Sequence, residues 1–219
     1  MASTINYNNT TPTAPTGGVN VLWQNDNSNP PNISASVKMV PLVVNYNTTA
    51  QSQTVVSGTV YYIAGSFLPA PNPAINGPVV GTTYTWRVHM TKTAAGSGIF
   101  QIFIYMGTAG TTGDTAEVSQ TIGTQTGAVD QMDMDVSVTW TAVGSSTASF
   151  YWSICPRQFA SSATGFGITW PATASFFSGT VSSLNSTTAG LGLGLAFSAT
   201  GGTPTIVIPY VESQAINLN

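Results

Sequence analysis

The chain has 219 residues and a formal net charge of -3, and only 5% of its residues are charged, against roughly 25% in an average soluble domain. Its hydrophobic share of 42% is ordinary, so Thr, Ser, Asn, Gln and Gly must supply the polar surface, and disorder driven by low hydrophobicity and high charge is excluded. The four basic residues, Lys38, Arg87, Lys92 and Arg157, are scattered along the chain, whereas a nucleic-acid partner calls for a clustered basic patch. A surface so poor in both signs does little to keep copies apart, which favours an oligomer.

Residues 1–18 are rich in Asn, Thr, Pro and Ala without periodicity and read as an extended N-terminal arm with too little apolar surface to fold alone. The arm has neither the positive nor the apolar region of a secretory signal, and no stretch of the chain reaches the about 18 apolar residues that would suggest membrane insertion. The sequons at Asn8, Asn9, Asn32, Asn47 and Asn185 are those an Asn- and Thr-rich chain generates by chance.

Residues 19–78 form an N-terminal β segment and a Pro-rich loop, with strands expected over Ile33–Val37, Pro41–Tyr46 and Thr54–Ile63. Pro69–Pro78 cannot be a central strand, because proline donates no ladder hydrogen bond. Residues 79–219 are expected to form the main β-sandwich. Tyr84, Trp86, Val88 and Met90 alternate with polar residues, as do Phe150, Trp152 and Ile154 within Ala148–Ile154. In Gln131–Thr141, Met132, Met134, Val136, Val138 and Trp140 face one way while Asp133, Asp135, Ser137 and Thr139 face the other, the pattern of a half-solvated antiparallel sheet. Ile99–Met106 is apolar on both faces, which places it deep or against a partner subunit. Leu191–Phe197 alternates Leu with Gly, and interior strand glycines mark close approach of another backbone. With Glu117–Ile122, Ala172–Phe177 and Thr205–Val211 this makes about ten short strands, the number of a β-sandwich, and a jelly roll fits best.

Catalytic chemistry has little to draw on. The chain holds one histidine, one cysteine and seven carboxylates, and no triad or carboxylate pair is marked by spacing. We expect no catalytic residue, no metal site and no cofactor. His89 falls on the polar face beside Arg87 and Thr91 and reads as a solvent or interface histidine. Asp130, Asp133 and Asp135 suggest a Ca²⁺ loop at first, but the glycine and glutamate of an EF-hand are missing. Cys155 can form no intrachain disulfide and is expected to be a buried structural thiol. The aromatics without a clear inward face, Trp23, Trp170, Tyr61 and Tyr62, are the candidate ligand contacts; Trp170, Tyr61 and Tyr62 are retained as ligand-binding candidates, since sugars stack on exposed rings.

Two loops and one N-terminal stretch carry a resemblance. Thr91-Lys-Thr-Ala-Ala-Gly-Ser-Gly98 followed by a strand and Gly107-Thr-Ala-Gly-Thr-Thr-Gly-Asp-Thr115 resembles a recurrent module of bacteriophage virion proteins. Val19-Asn-Val-Leu-Trp-Gln-Asn-Asp26, continuing to Ile33–Val37, is similar to the opening of phage tail-fibre and structural proteins. The resemblance implies a trimeric β-sandwich on the virion surface, attached by its N-terminal segment to the major capsid protein or to tail proteins. It implies a capsid decoration, cement or head-fibre protein, or else a tail-fibre receptor-binding protein or carbohydrate-binding module that contacts a host-surface glycan. No functional residue is carried over from it.

Overall fold

Period-two alternation decides which side of each strand meets the core, and the burial pattern follows it closely: β5 reads part-buried, buried, exposed, buried along Thr83–Trp86. The computed structural model describes residues 42–71, 77–93, 95–158, 165–168 and 176–216. Among these it contains no helix and twelve strands: β1 (Leu42–Asn47), β2 (Gln51–Thr54), β3 (Val60–Tyr62), β4 (Leu68–Pro69), β5 (Thr83–Lys92), β6 (Ile99–Gly107), β7 (Thr115–Thr124), β8 (Asp130–Ala142), β9 (Ala148–Gln158), β10 (Phe177–Leu184), β11 (Gly192–Ala199) and β12 (Thr205–Ile216). The expected arm, the strand Ile33–Val37, Trp23 and Trp170 lie outside the described residues.

The strands make two antiparallel sheets. One runs β1-β12-β5-β8-β9-β10 with β2 also on β12; the other runs β3-β11-β6-β7 with β4 also on β11. β1 and β2 occupy a single interrupted strand position, as do β3 and β4. With the β9–β10 hairpin set aside, eight positions remain. The first sheet then orders them first, eighth, third, sixth, and the second orders them second, seventh, fourth, fifth. This is the double Greek key of a jelly roll, widened on one sheet by an added hairpin. The segment ahead of the Pro-rich stretch is part of the same body, since β1 and β2 pair with β12 and β3 and β4 with β11.

Local chemistry explains the departures from the expected strands. Thr54–Ile63 is two strands, because residues 55–59 carry the chain from one sheet to the other through a turn in which Gly58 adopts φ +78°. β9 continues through Pro156, which is tolerated where the β10 pairing has already ended at Ile154↔Phe177. Pro209 lies inside β12, at the irregularity between Val207 and Tyr210 and opposite the break between β1 and β2. β10 begins at Phe177, the last residue of the expected strand Ala172–Phe177, and residues 172–175 lie outside the described set.

Trp86, Trp140, Met90 and Phe150 from the first sheet meet Phe100, Ile102, Ile104, Leu195 and Phe197 from the second in one core. Burying each such side chain contributes about 1.5–3 kcal/mol. Trp86 Nε1 donates to the Ser66 carbonyl at 2.6 Å, and Ser66 Oγ in turn accepts from Leu195 N at 2.9 Å, so one polar relay crosses between the sheets. On the second apolar face of β6 only Tyr105 is buried, packed against Tyr62 and Phe103 with ring centroids 6.0 and 6.2 Å apart, while Phe103 is part-buried and Ile99 exposed. Gly194 provides the seat for Tyr62, whose hydroxyl occupies the place a Cβ would need. The glycines of β11 thus admit aromatic rings as well as a neighbouring backbone, which reaches Gly192 through the Leu68 carbonyl.

Burial also sets the alkaline limit of the fold. It pushes the Tyr84 and Tyr62 phenols well above their ordinary range. The folded chain therefore keeps protons that the unfolded chain releases above about pH 10, and stability falls as pH rises beyond that point. Burial lowers the Lys92 ammonium instead, and that group contributes a gain that is complete once pH passes the unfolded value of about 10.4. Thermal melts between pH 8 and 12, as approximate limits around the phenol range, should show Tm dropping on the alkaline side. Tyr84→Phe should reduce the drop; an unchanged slope would contradict the assignment.

Candidate functional site

The outward residues of β12, β5, β8 and β9 lie side by side because the register aligns them in rows. One row reads Glu212, Arg87, Asp135, Cys155, and the next reads Tyr210, His89, Asp133, Arg157. Six of the ten Asp, Glu, Lys, Arg and His residues in the described segments are therefore gathered on this one sheet face. Arg87 Nε donates to Asp135 Oδ1 at 3.2 Å, and Arg157 Nη2 pairs with Asp135 Oδ2. His89 Nδ1 donates to Asp133 Oδ1 at 2.7 Å, the direction required by a carboxylate that can only accept, and the ring lies parallel to Tyr210.

The ladder is half open to water. Arg87, Arg157 and Asp135 are 52%, 54% and 31% exposed, and ion pairs of this kind contribute about 0–1 kcal/mol. Stability therefore does not explain why a chain with so few charges places them here. Beside the ladder a shallow groove of about 330 Å³ runs between Glu212 and Gln214 on one flank and Ser153 and Cys155 on the other. Its floor is Thr85, Trp86, Arg87, Asp135, Val136 and Ser137. Hydroxyls complete the surface: Ser137 bonds Ser153 at 2.7 Å and Thr83 bonds Thr139 at 3.1 Å across the strands.

The expectation for Cys155 is corrected. Phe150, Trp152, Ile154 and Pro156 take the inward phase of β9, so Cys155 falls outward, is part-exposed, and lines the groove. Tyr61 stacks on Phe197 at 5.7 Å while its hydroxyl accepts from Val56 N at 2.9 Å, and Tyr62 lies over Gly194 on the opposite sheet. Neither tyrosine joins the charged ladder, and Trp170 lies outside the described residues. Trp86, Trp140 and Trp152 are core side chains, exposed by 2%, 1% and 9%. Among the described residues no group of three or more His, Cys, Asp or Glu is placed to hold a metal ion.

The motif Gly107–Thr115 has a structural explanation. The Asp114 carboxylate accepts from the backbone N–H groups of Thr108, Ala109, Gly110 and Thr111, so one side chain closes the whole turn. A Cβ on Gly107 would collide with that carboxylate. At the opposite end of the sandwich a buried pair does similar work. Lys92, 1% exposed, donates to the carbonyls of Thr93, Thr126 and Ala128, while Asp130, 2% exposed, accepts from Gln131 N and Phe166 N. The pair ties loops 93–98 and 125–129 and residues 165–168 into one tip.

No family model matches the chain, and no curated protein matches it. Among solved structures it is similar to the infectious bursal virus derived T=1 particle, at 13% identity and a TM-score of 0.28, over 94% of this chain and 48% of that one. The VP2 subviral particle of infectious bursal disease virus gives 12% identity and a TM-score of 0.27, over 82% and 42%. The chain spans about half the length of these proteins or less. TM-scores this low carry no argument, and the jelly-roll assignment rests on the strand order alone.

Proposed function

We propose that the chain is a bacteriophage virion surface structural protein, a capsid decoration, cement or head-fibre protein that docks by its N-terminal segment and assembles as a homotrimer. It acts by assembly and not by catalysis. The observation that carries this reading is the uncharged tip of the jelly roll. Loops 55–59, 93–98, 125–129 and 200–204 contain no Asp, Glu, Lys or Arg. In and beside them Val56, Ile99 and Val129 are 58%, 42% and 63% exposed. Backbone hydrogen bonds such as Ser97 N to Gly201 O and Gln125 N to Gly98 O hold the loops together, so the apolar side chains stand on a braced platform suited to a neighbouring subunit.

Light scattering on the purified chain tests this reading. The expected mass is that of three 22.7 kDa chains, and deleting residues 1–18 should abolish attachment to particles while leaving the trimer intact. A monomer that still decorates particles without residues 1–18 would overturn it. The polar groove favours a second reading, in which the chain is a tail-fibre receptor-binding protein or a carbohydrate-binding module.

A further inference from the structure

We propose that the groove on the outer face of the seven-stranded sheet is a binding site for a neutral oligosaccharide, with Arg87, Asp135, Glu212 and Gln214 as its hydrogen-bonding residues. The proposal rests on the second of the two readings above and is independent of the assembly reading. Four observations carry it.

The groove's volume of about 330 Å³ lies at the lower end of the range for small-molecule sites, roughly 300–1,000 Å³. It is framed by planar side chains that offer two donors or two acceptors each, a guanidinium, two carboxylates and an amide, with short hydroxyls between them. Vicinal sugar hydroxyls, each both donor and acceptor, satisfy such a set on both sides. The groove carries no surplus of positive charge and is close to balanced: over its row and the next, Arg87 and Arg157 offset two of the three carboxylates Asp133, Asp135 and Glu212. A phosphate, sulfate or acidic sugar would need surplus positive charge and a metal ion surplus negative charge, so a neutral polyol is the class that fits.

Aromatic area is available on the same face. Tyr210, 37% exposed, stands on β12 one row beyond Glu212, and Tyr151, 41% exposed, stands on β9 one row beyond Ser153. Both are outward rings on a face otherwise covered by hydroxyls and the charged ladder, and they flank the groove at opposite corners, where the apolar face of a terminal sugar can rest.

The test is a panel of neutral, sialylated and sulfated glycans presented to the full chain, followed by calorimetry with the strongest binder. The chain should bind neutral glycans. Arg87→Met and Glu212→Gln should each weaken binding about tenfold or more, and Thr85→Trp, which fills the groove and removes no charge, should abolish it. Both Arg87 and Thr85 are exposed, so the melting temperatures of these variants should stay close to that of the parent chain. Glu117→Gln, on the other sheet, should leave binding unchanged. Binding that survives all three groove substitutions would overturn the site while leaving a carbohydrate-binding module elsewhere on the chain. No binding to any glycan would overturn both, and binding confined to sulfated or sialylated glycans would overturn the neutral-ligand assignment.

Discussion

Lys92→Met should destabilise the fold by about 3–5 kcal/mol, the range for breaking a buried charge pair by removing one partner. Lys92 and Asp130 are opposite each other in the β5–β8 register and both are almost fully buried, so the loss of the ammonium leaves a carboxylate without its nearest positive charge. It also leaves the carbonyls of Thr126 and Ala128 without the Lys92 donor. Asp130→Asn alone should cost less, about 1–3 kcal/mol, since an amide oxygen can keep one of the two backbone donors. The double variant Lys92→Met, Asp130→Asn should cost less than the sum of the singles. Urea unfolding of the four proteins measures the cycle; additive costs would show that the two charges do not act as a pair.

Trp86→Ala should cost a similar amount, about 3–5 kcal/mol, through the cavity it opens and the contacts it removes. Trp86 is 2% exposed, stacks on Tyr84 at 5.9 Å, and donates to the Ser66 carbonyl at 2.6 Å. Trp86→Phe separates the contributions: it keeps much of the apolar ring and loses the donor, for an expected cost of about 1–3 kcal/mol. Urea midpoints for the two variants check this order. Equal costs would place the whole effect in the hydrogen bond.

Much of the fold was legible because alternation is a local signal. The phases of Tyr84–Met90 and Met132–Trp140 placed nine core side chains correctly, and the same phases extended by one step put Lys92 and Asp130 inward. That signal was present and was masked by residue type, because a charged side chain is ordinarily assigned to water. β10 was harder: Phe177, Gly179 and Val181 carry only a weak apolar phase, and the strand lies at the open edge of the sheet. The break between β2 and β3 was hidden because the β-branched residues Thr54, Val55, Val56, Thr59 and Val60 read as strand formers throughout, while the chain is already crossing between sheets at 55–59.

The site was less legible because it is made by register. Nothing local relates Glu212 to Arg87 or Asp135 to Arg157; they meet because β12, β5, β8 and β9 are neighbours in a particular alignment. What alignment of the strands added was the row, and with it the groove. The resemblance motif Gly107–Thr115 was visible as a pattern, but its reason, a carboxylate holding four backbone donors, appears only in three dimensions.

The most direct test of the central claim is a cryo-electron microscopy map of the intact particle of a phage that encodes the chain. The account predicts surface density that fits this jelly roll with its β9–β10 extension, in threefold clusters, with the N-terminal residues running into the particle. A particle whose surface holds no such density, while the protein is found free of virions in the lysate, would contradict it.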